Sequence, residues 1–196
     1  METFTLFGQR PFNHYAHNRL KAITKSIDAM SNLEVLLYKN SFEDLVKKLV
    51  NAYSLLPVTI SFEDKLIDLI NRPDEQGIRC FAEYTLMIKG DSALLELDPF
   101  NLGYVSLRLP VSVQTNIISF EIDTHQSSEN LTPDNVASVK DNYDTIKNFI
   151  QRTLLALNNE SQKFNLQLED VMIPILAAKM RSASYHHELK EKLNFK

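Results

Sequence analysis

Residues 78–123 constrain the fold more than any other stretch. Cys80, Ala82, Tyr84, Leu86 and Ile88 alternate there with Phe81, Glu83, Thr85, Met87 and Lys89. A period of two places the first set on one side of a strand and the second set on the other. The apolar side continues through Ala93, Leu95 and Leu97, then Val105, Leu107 and Leu109, then Val111 and Val113, with turn residues at Gly90-Asp91 and Pro99-Phe100-Asn101-Leu102-Gly103. After Val113 the apolar set moves to Ile118, Phe120 and Ile122. That phase change calls for a bulge or a break into two strands near residues 115–117.

The flanks read as helix. Leu20, Ile23, Ile27 and Met30 recur at helical spacing, and the chain's one internal repeat, SFEDLVKKLVN from Ser41 and SFEDKLIDLIN from Ser61, looks like two capped helix starts. Thr132-Pro133-Asp134 opens a further helix, which repeats Val136, Val139, Tyr143, Ile146, Ile150, Leu154 and Leu157. A polar loop is expected around 158–165, then a last helix over about 167–193, bent at Pro174, with Leu168, Val171, Met172, Ile175, Ala178 and Ala183 inward. The expected fold is α+β: a four-stranded antiparallel meander (about 78–123) packed against N-terminal helices and two long C-terminal helices. One domain is expected over 1–196, helical over 12–72, sheet over 78–123 and helical over 133–193. The helices are needed because a sheet with one apolar face must bury that face.

At 196 residues, 44% hydrophobic and 23% charged, the chain is large and apolar enough to fold without disulfides or metals. Cys80 stands alone, METFTLFGQRPF lacks the pattern of a secretory leader, and no apolar run is long enough for a membrane span. A cytoplasmic protein is therefore expected. Residues 76–130 hold 3 basic and 7 acidic side chains, against 9 and 10 before them and 9 and 8 after. The net charge of −4 thus sits in the expected sheet, which disfavours nucleic acid there, because phosphate binding depends on basic groups. Lys179, Arg181, Lys190, Lys192 and Lys196 make the last helix the place for a weak anion contact.

Candidate chemistry is sparse. Glu121, Asp123 and His125 alternate along one strand face, with Glu96 and Asp98 similarly placed on an earlier strand. Carboxylates with a histidine suit Mn, Fe or Zn, or general acid–base work, although solvent exposure alone also makes one face of a sheet polar. Arg181-Ser-Ala-Ser-Tyr-His186 resembles the arginine–histidine pattern of HEPN-type ribonucleases, which would imply RNA cleavage by Arg181 and His186; that family is all-helical, and here the middle of the chain reads as strands. His14 and His17, three apart, have no third ligand. Gly at 8, 77, 90 and 103 only leaves no glycine-rich phosphate loop. No cofactor is called for.

The functional expectation is a non-enzymatic protein–protein interaction module, an accessory, adaptor or inhibitor-like subunit. It would act through a protein partner or self-association on a mixed outer sheet face carrying Phe81, Met87, Leu94, Tyr104 and Arg108. The competing expectation is a metal-dependent hydrolase or nuclease using the acidic residues of that face.

Overall fold

A computed structural model of the chain describes residues 2–8, 10–74, 77–100, 109–114, 116–127 and 130–194. The architecture is α+β, with an antiparallel sheet, N-terminal helices and one long C-terminal helix. The elements are β1 (Glu2–Thr5), β2 (Arg10–Pro11), α1 (Phe12–Ala29), α2 (Asn32–Leu36), α3 (Phe42–Tyr53), β3 (Thr59–Asp74), β4 (Gly77–Lys89), a 3₁₀ turn (Ser92–Glu96), β5 (Leu97–Asp98), β6 (Pro110–Gln114), β7 (Ile117–Gln126) and α4 (Pro133–Asn194).

Contacts gather these elements into two compact units. One, the sheet unit, comprises 1–13 and 56–160; the other, the helical unit, comprises 14–55 and 161–196.

In the sheet unit the strand order is β1-β6-β7-β4-β3, antiparallel throughout. Tyr84 lies opposite Phe120 and Ile67, and Ala82 opposite Ile122 and Leu69, so these residues share the inner face. Cys80, Ala82, Tyr84, Leu86, Ile88, Ile118, Phe120 and Ile122 are all buried there, as their alternation requires. The phase change after Val113 is a break between strands: β6 and β7 pair antiparallel with Gln114 opposite Ile117. The first part of α4 belongs to the same unit, with Val139, Tyr143, Ile146, Ile150, Leu154 and Leu157 buried at helical spacing. Asn158 closes the arrangement by mimicking a strand. Its side-chain amide accepts from Val58 N–H at 2.9 Å and donates to Val58 C=O at 2.8 Å.

The helical unit holds α1 from His14 on, α2, α3 and the rest of α4. Ser31 and Glu34 form a reciprocal capping box at the start of α2. The Glu34 carboxylate accepts Ser31 N–H at 2.7 Å, and that bond, seconded by the Ser31 hydroxyl, holds its pKa below the ordinary value. Ile23, Ile27, Leu45 and Val46 face inward. Asn165 repeats the Asn158 device on Leu55, at 2.8 Å to its N–H and 2.9 Å to its C=O.

Four expectations need correction. The second SFED segment, part of the region read as helical over 12–72, is strand β3: twelve of its residues pair with β4, and a long ladder outweighs helix propensities worth a few tenths of a kcal/mol per residue. Ser61 and Asp64 do bond, at 3.1 Å between side chains, inside the irregularity between Ser61 and Leu66 rather than at a helix cap. Residues 92–96, read as a strand, form the 3₁₀ turn capped by Asp91, and only Leu97 and Asp98 extend, in a short parallel pair with β2. The two C-terminal helices are a single helix carrying Pro174 inside it, because Leu157, Ser161, Phe164 and Leu168 keep burying one stripe across the expected loop. Farther on, Leu176 is buried and Ala178 is exposed. The expected third strand falls largely on 101–108, outside the described residues.

Candidate functional site

The sheet unit holds a cavity of about 410 Å³ between the β3–β4 edge and the first turns of α4. Its floor is aromatic. Tyr84 projects from the inner face of β4 because it falls in the alternating set, and Tyr143 projects from α4 at the second turn of its buried stripe. The two rings stack with centroids 4.4 Å apart, and Phe120 of β7 lies 5.5 Å from Tyr84 on its inner-face neighbour strand. Such pairs add roughly 0.5–1.5 kcal/mol beyond the burial of their area. Ile67, Leu69, Leu131, Val136 and Val139 line the sides, and Lys65, Lys140 and Asp144 supply the charged groups.

Two features of this floor are unusual for a plain core. The Tyr143 hydroxyl is buried and has no hydrogen-bond partner among the described residues, a state that costs roughly 1–3 kcal/mol. The Lys65 ammonium lies 5.3 Å from the centroid of the Tyr143 ring, within cation–π range. Both phenols are pushed above the ordinary tyrosine pKa of 10.0: Tyr143 by burial and then by Tyr84 and Asp144, Tyr84 by burial and then by Asp144. Each therefore stays protonated, and Tyr143 remains a hydrogen-bond donor.

Beside the cavity runs the free edge of β3, the last strand of the sheet among the described residues. Leu66 is 66% exposed, Ile67 50% and Leu69 37%. On the outer face, Leu66, Asp68 and Ile70 lie opposite Thr85, Glu83 and Phe81. Of the residues expected to form an interaction surface, Phe81 is half-buried on this face and Met87 is 48% exposed. Leu94 is fully buried, since the 3₁₀ turn turns it inward and strand alternation does not apply to it. Tyr104 and Arg108 lie outside the described residues.

The acidic candidates do not converge. Glu121 lies opposite Glu83 on the outer face and pairs with Arg72. The Asp123 carboxylate takes the Arg79 guanidinium at 3.0 Å, the His125 imidazole at 3.4 Å and the His125 N–H at 2.8 Å. His125 itself adopts φ +57°, at the irregularity where β4 and β7 shift register. Glu96 and Asp98 belong to the turn and the short β2–β5 pair: Glu96 meets Arg10 at 3.6 Å, and nearly buried Asp98 accepts from Phe100 N–H at 2.9 Å. Among the described residues no three His, Cys, Asp or Glu side chains gather so as to hold a metal ion. No helix among them is long and apolar enough to cross a membrane.

Arg181 and His186 are both exposed on α4. Five positions apart, they point about 140° from each other around the helix. His186 and His187 line a hollow of about 150 Å³ with Asn32, Leu33 and Lys190 inside the helical unit, and His187 faces Glu191 at 3.4 Å. His14 and His17 are exposed on α1.

Ala82, Tyr84, Val136, Val139 and Tyr143 belong to sets that periodicity marks in the sequence; the β3 side of the cavity and the edge, Lys65, Ile67 and Leu69, do not, because that segment also fits a helix. Thr59, Ile60, Ile67 and Ile70, β-branched between Pro57 and Pro73, were the available signal for a strand. No family model, curated protein or solved structure matches this chain.

Proposed function

We propose that the protein is a non-enzymatic, cytoplasmic protein-binding module, an accessory, adaptor or inhibitor-like subunit that receives an extended segment of its partner along the free edge of β3. The observation that carries this reading is that edge: among the described residues a strand of 16 residues is the last of the sheet, with Leu66, Ile67 and Leu69 exposed along it. Natural sheets blunt such edges with charge, proline or cover, because unpaired N–H and C=O groups template the addition of another strand. Strand addition takes its affinity from backbone hydrogen bonds and its specificity from alternate side chains. A fitting partner alternates apolar residues and brings a positive charge to meet Asp68, since Arg72 is already paired with Glu121. Cys80, free and fully buried, is consistent with a reducing compartment. Asp68, Glu83 and Glu121 on the outer face weigh against nucleic acid as the partner there.

Displayed peptide libraries test this reading when selected on the wild-type protein and counter-selected on Leu66→Lys/Ile70→Lys, a variant that leaves the cavity lining intact. Selected peptides should alternate apolar residues and should slow amide exchange over residues 66–72. Self-association abolished by the same substitutions would assign the edge to a second copy. Peptides that bind the variant equally, or that protect other segments, would overturn the proposal.

A further inference from the structure

We propose that the cavity of the sheet unit is a binding site for a compact amphipathic monoanion, an apolar body carrying one carboxylate. This does not rest on the edge reading, since Leu66 and Ile70 do not line the cavity. The volume of about 410 Å³ falls at the lower end of the roughly 300–1,000 Å³ typical of small-molecule sites, which calls for a compact ligand. The walls, Ile67, Leu69, Val136 and Val139 above stacked tyrosines, match an apolar body.

The polar groups select the head. Lys65 and Lys140 bring two positive charges against the single negative charge of Asp144. The cation position over the Tyr143 ring is already taken by Lys65, so a cationic head would find its best aromatic partner occupied and two ammoniums repelling it. A carboxylate accepts from both ammoniums, in charge-assisted bonds about twice as strong as neutral ones. A neutral alcohol would forgo the charge, and the rest of the cavity would hold it no better than the acid.

The probe is decanoate below its micelle-forming concentration, titrated calorimetrically and by amide chemical shift, with decylamine, decanol and phosphatidylglycerol vesicles as comparisons. Decanoate should bind saturably at one site and move the amides of Ala82 and Val139. Lys65→Glu/Lys140→Glu should weaken it about tenfold or more and leave decylamine binding equal or tighter. Val136→Trp places a large ring at a position 37% exposed on the cavity wall, so it should block decanoate while the melting temperature is retained. The new indole would be the chain's only Trp and would report its own environment. Equal affinity for decylamine, decanoate binding that survives Val136→Trp, binding to vesicles alone, or no saturable binding would each overturn the site.

Discussion

Replacing Gly90 by alanine should be among the most damaging single substitutions in the sheet unit. Gly90 follows β4 directly at φ +96°, and a Cβ there would sit 2.0 Å from the Pro57 carbonyl oxygen, 2.8 Å from its carbonyl carbon and 3.1 Å from Val58 Cα. All three are backbone atoms, so no side chain can swing aside. The Pro57 carbonyl would have to retreat by roughly 1.4 Å to reach ordinary contact at 3.4 Å. That movement strains the two bonds that tie Val58 to Asn158 and the bond from Asp91 N–H to Leu56 C=O at 3.3 Å. Three hydrogen bonds at about 0.5–1.5 kcal/mol each amount to about 2–4 kcal/mol. Gly77 provides the control: it also has positive φ, +130°, but nothing lies within 4 Å of its would-be Cβ. Both alanine variants carry the backbone strain of about 1–3 kcal/mol, and both gain from a stiffer unfolded chain. Urea unfolding followed by far-UV ellipticity, with amide exchange of β4 and β7, should therefore place Gly90→Ala about 2–4 kcal/mol below Gly77→Ala at similar m-values. A gap under about 1 kcal/mol would refute the argument from close approach.

Asn158→Ala should cost about 2–3 kcal/mol, because it leaves both the N–H and C=O of Val58 unpaired; Asn158→Asp, which keeps only the acceptor, should recover part of this in the same denaturation assay. Tyr143→Phe should be neutral or stabilising by up to about 1 kcal/mol, since it removes an unpartnered buried hydroxyl, and a larger loss would mean that the hydroxyl is paired in solution. The raised pKa of Tyr143 means that the folded state holds the phenol proton more tightly than the unfolded chain does. Its contribution is complete below pH of about 10 and is lost as pH rises from there through the folded-state pKa, so Tyr143→Phe should flatten the alkaline decline in melting temperature.

Much of the sheet unit was legible in the sequence. The inward sets of β4 and β7 and the stripe from Val139 to Leu157 follow from periodicity alone, and Tyr84, Phe120 and Tyr143 were already members of those sets. What periodicity could not supply was which set faces which. The stacking of Tyr143 on Tyr84 depends on α4 covering the β3–β4 edge of the sheet. The acidic residues teach the same lesson from the other side: Glu121 and Asp123 do share a face, but Arg72 and Arg79 from other strands meet them.

The sequence by itself determined which residues must be buried wherever a segment's period was unambiguous, because burying apolar surface is a local demand of each helix or strand. Tertiary structure decided the rest. SFED opens helix α3 at Ser41 and lies in strand β3 at Ser61, since apolar residues at Leu66, Ile67, Leu69 and Ile70 satisfy either period and only the ladder with β4 chooses between them. The polar run 158–165 stays helical because Ser161 and Phe164 carry the buried stripe through it, and the backbone residues that Asn158 and Asn165 clamp lie a hundred or more positions away in the chain, where no local pattern announces them.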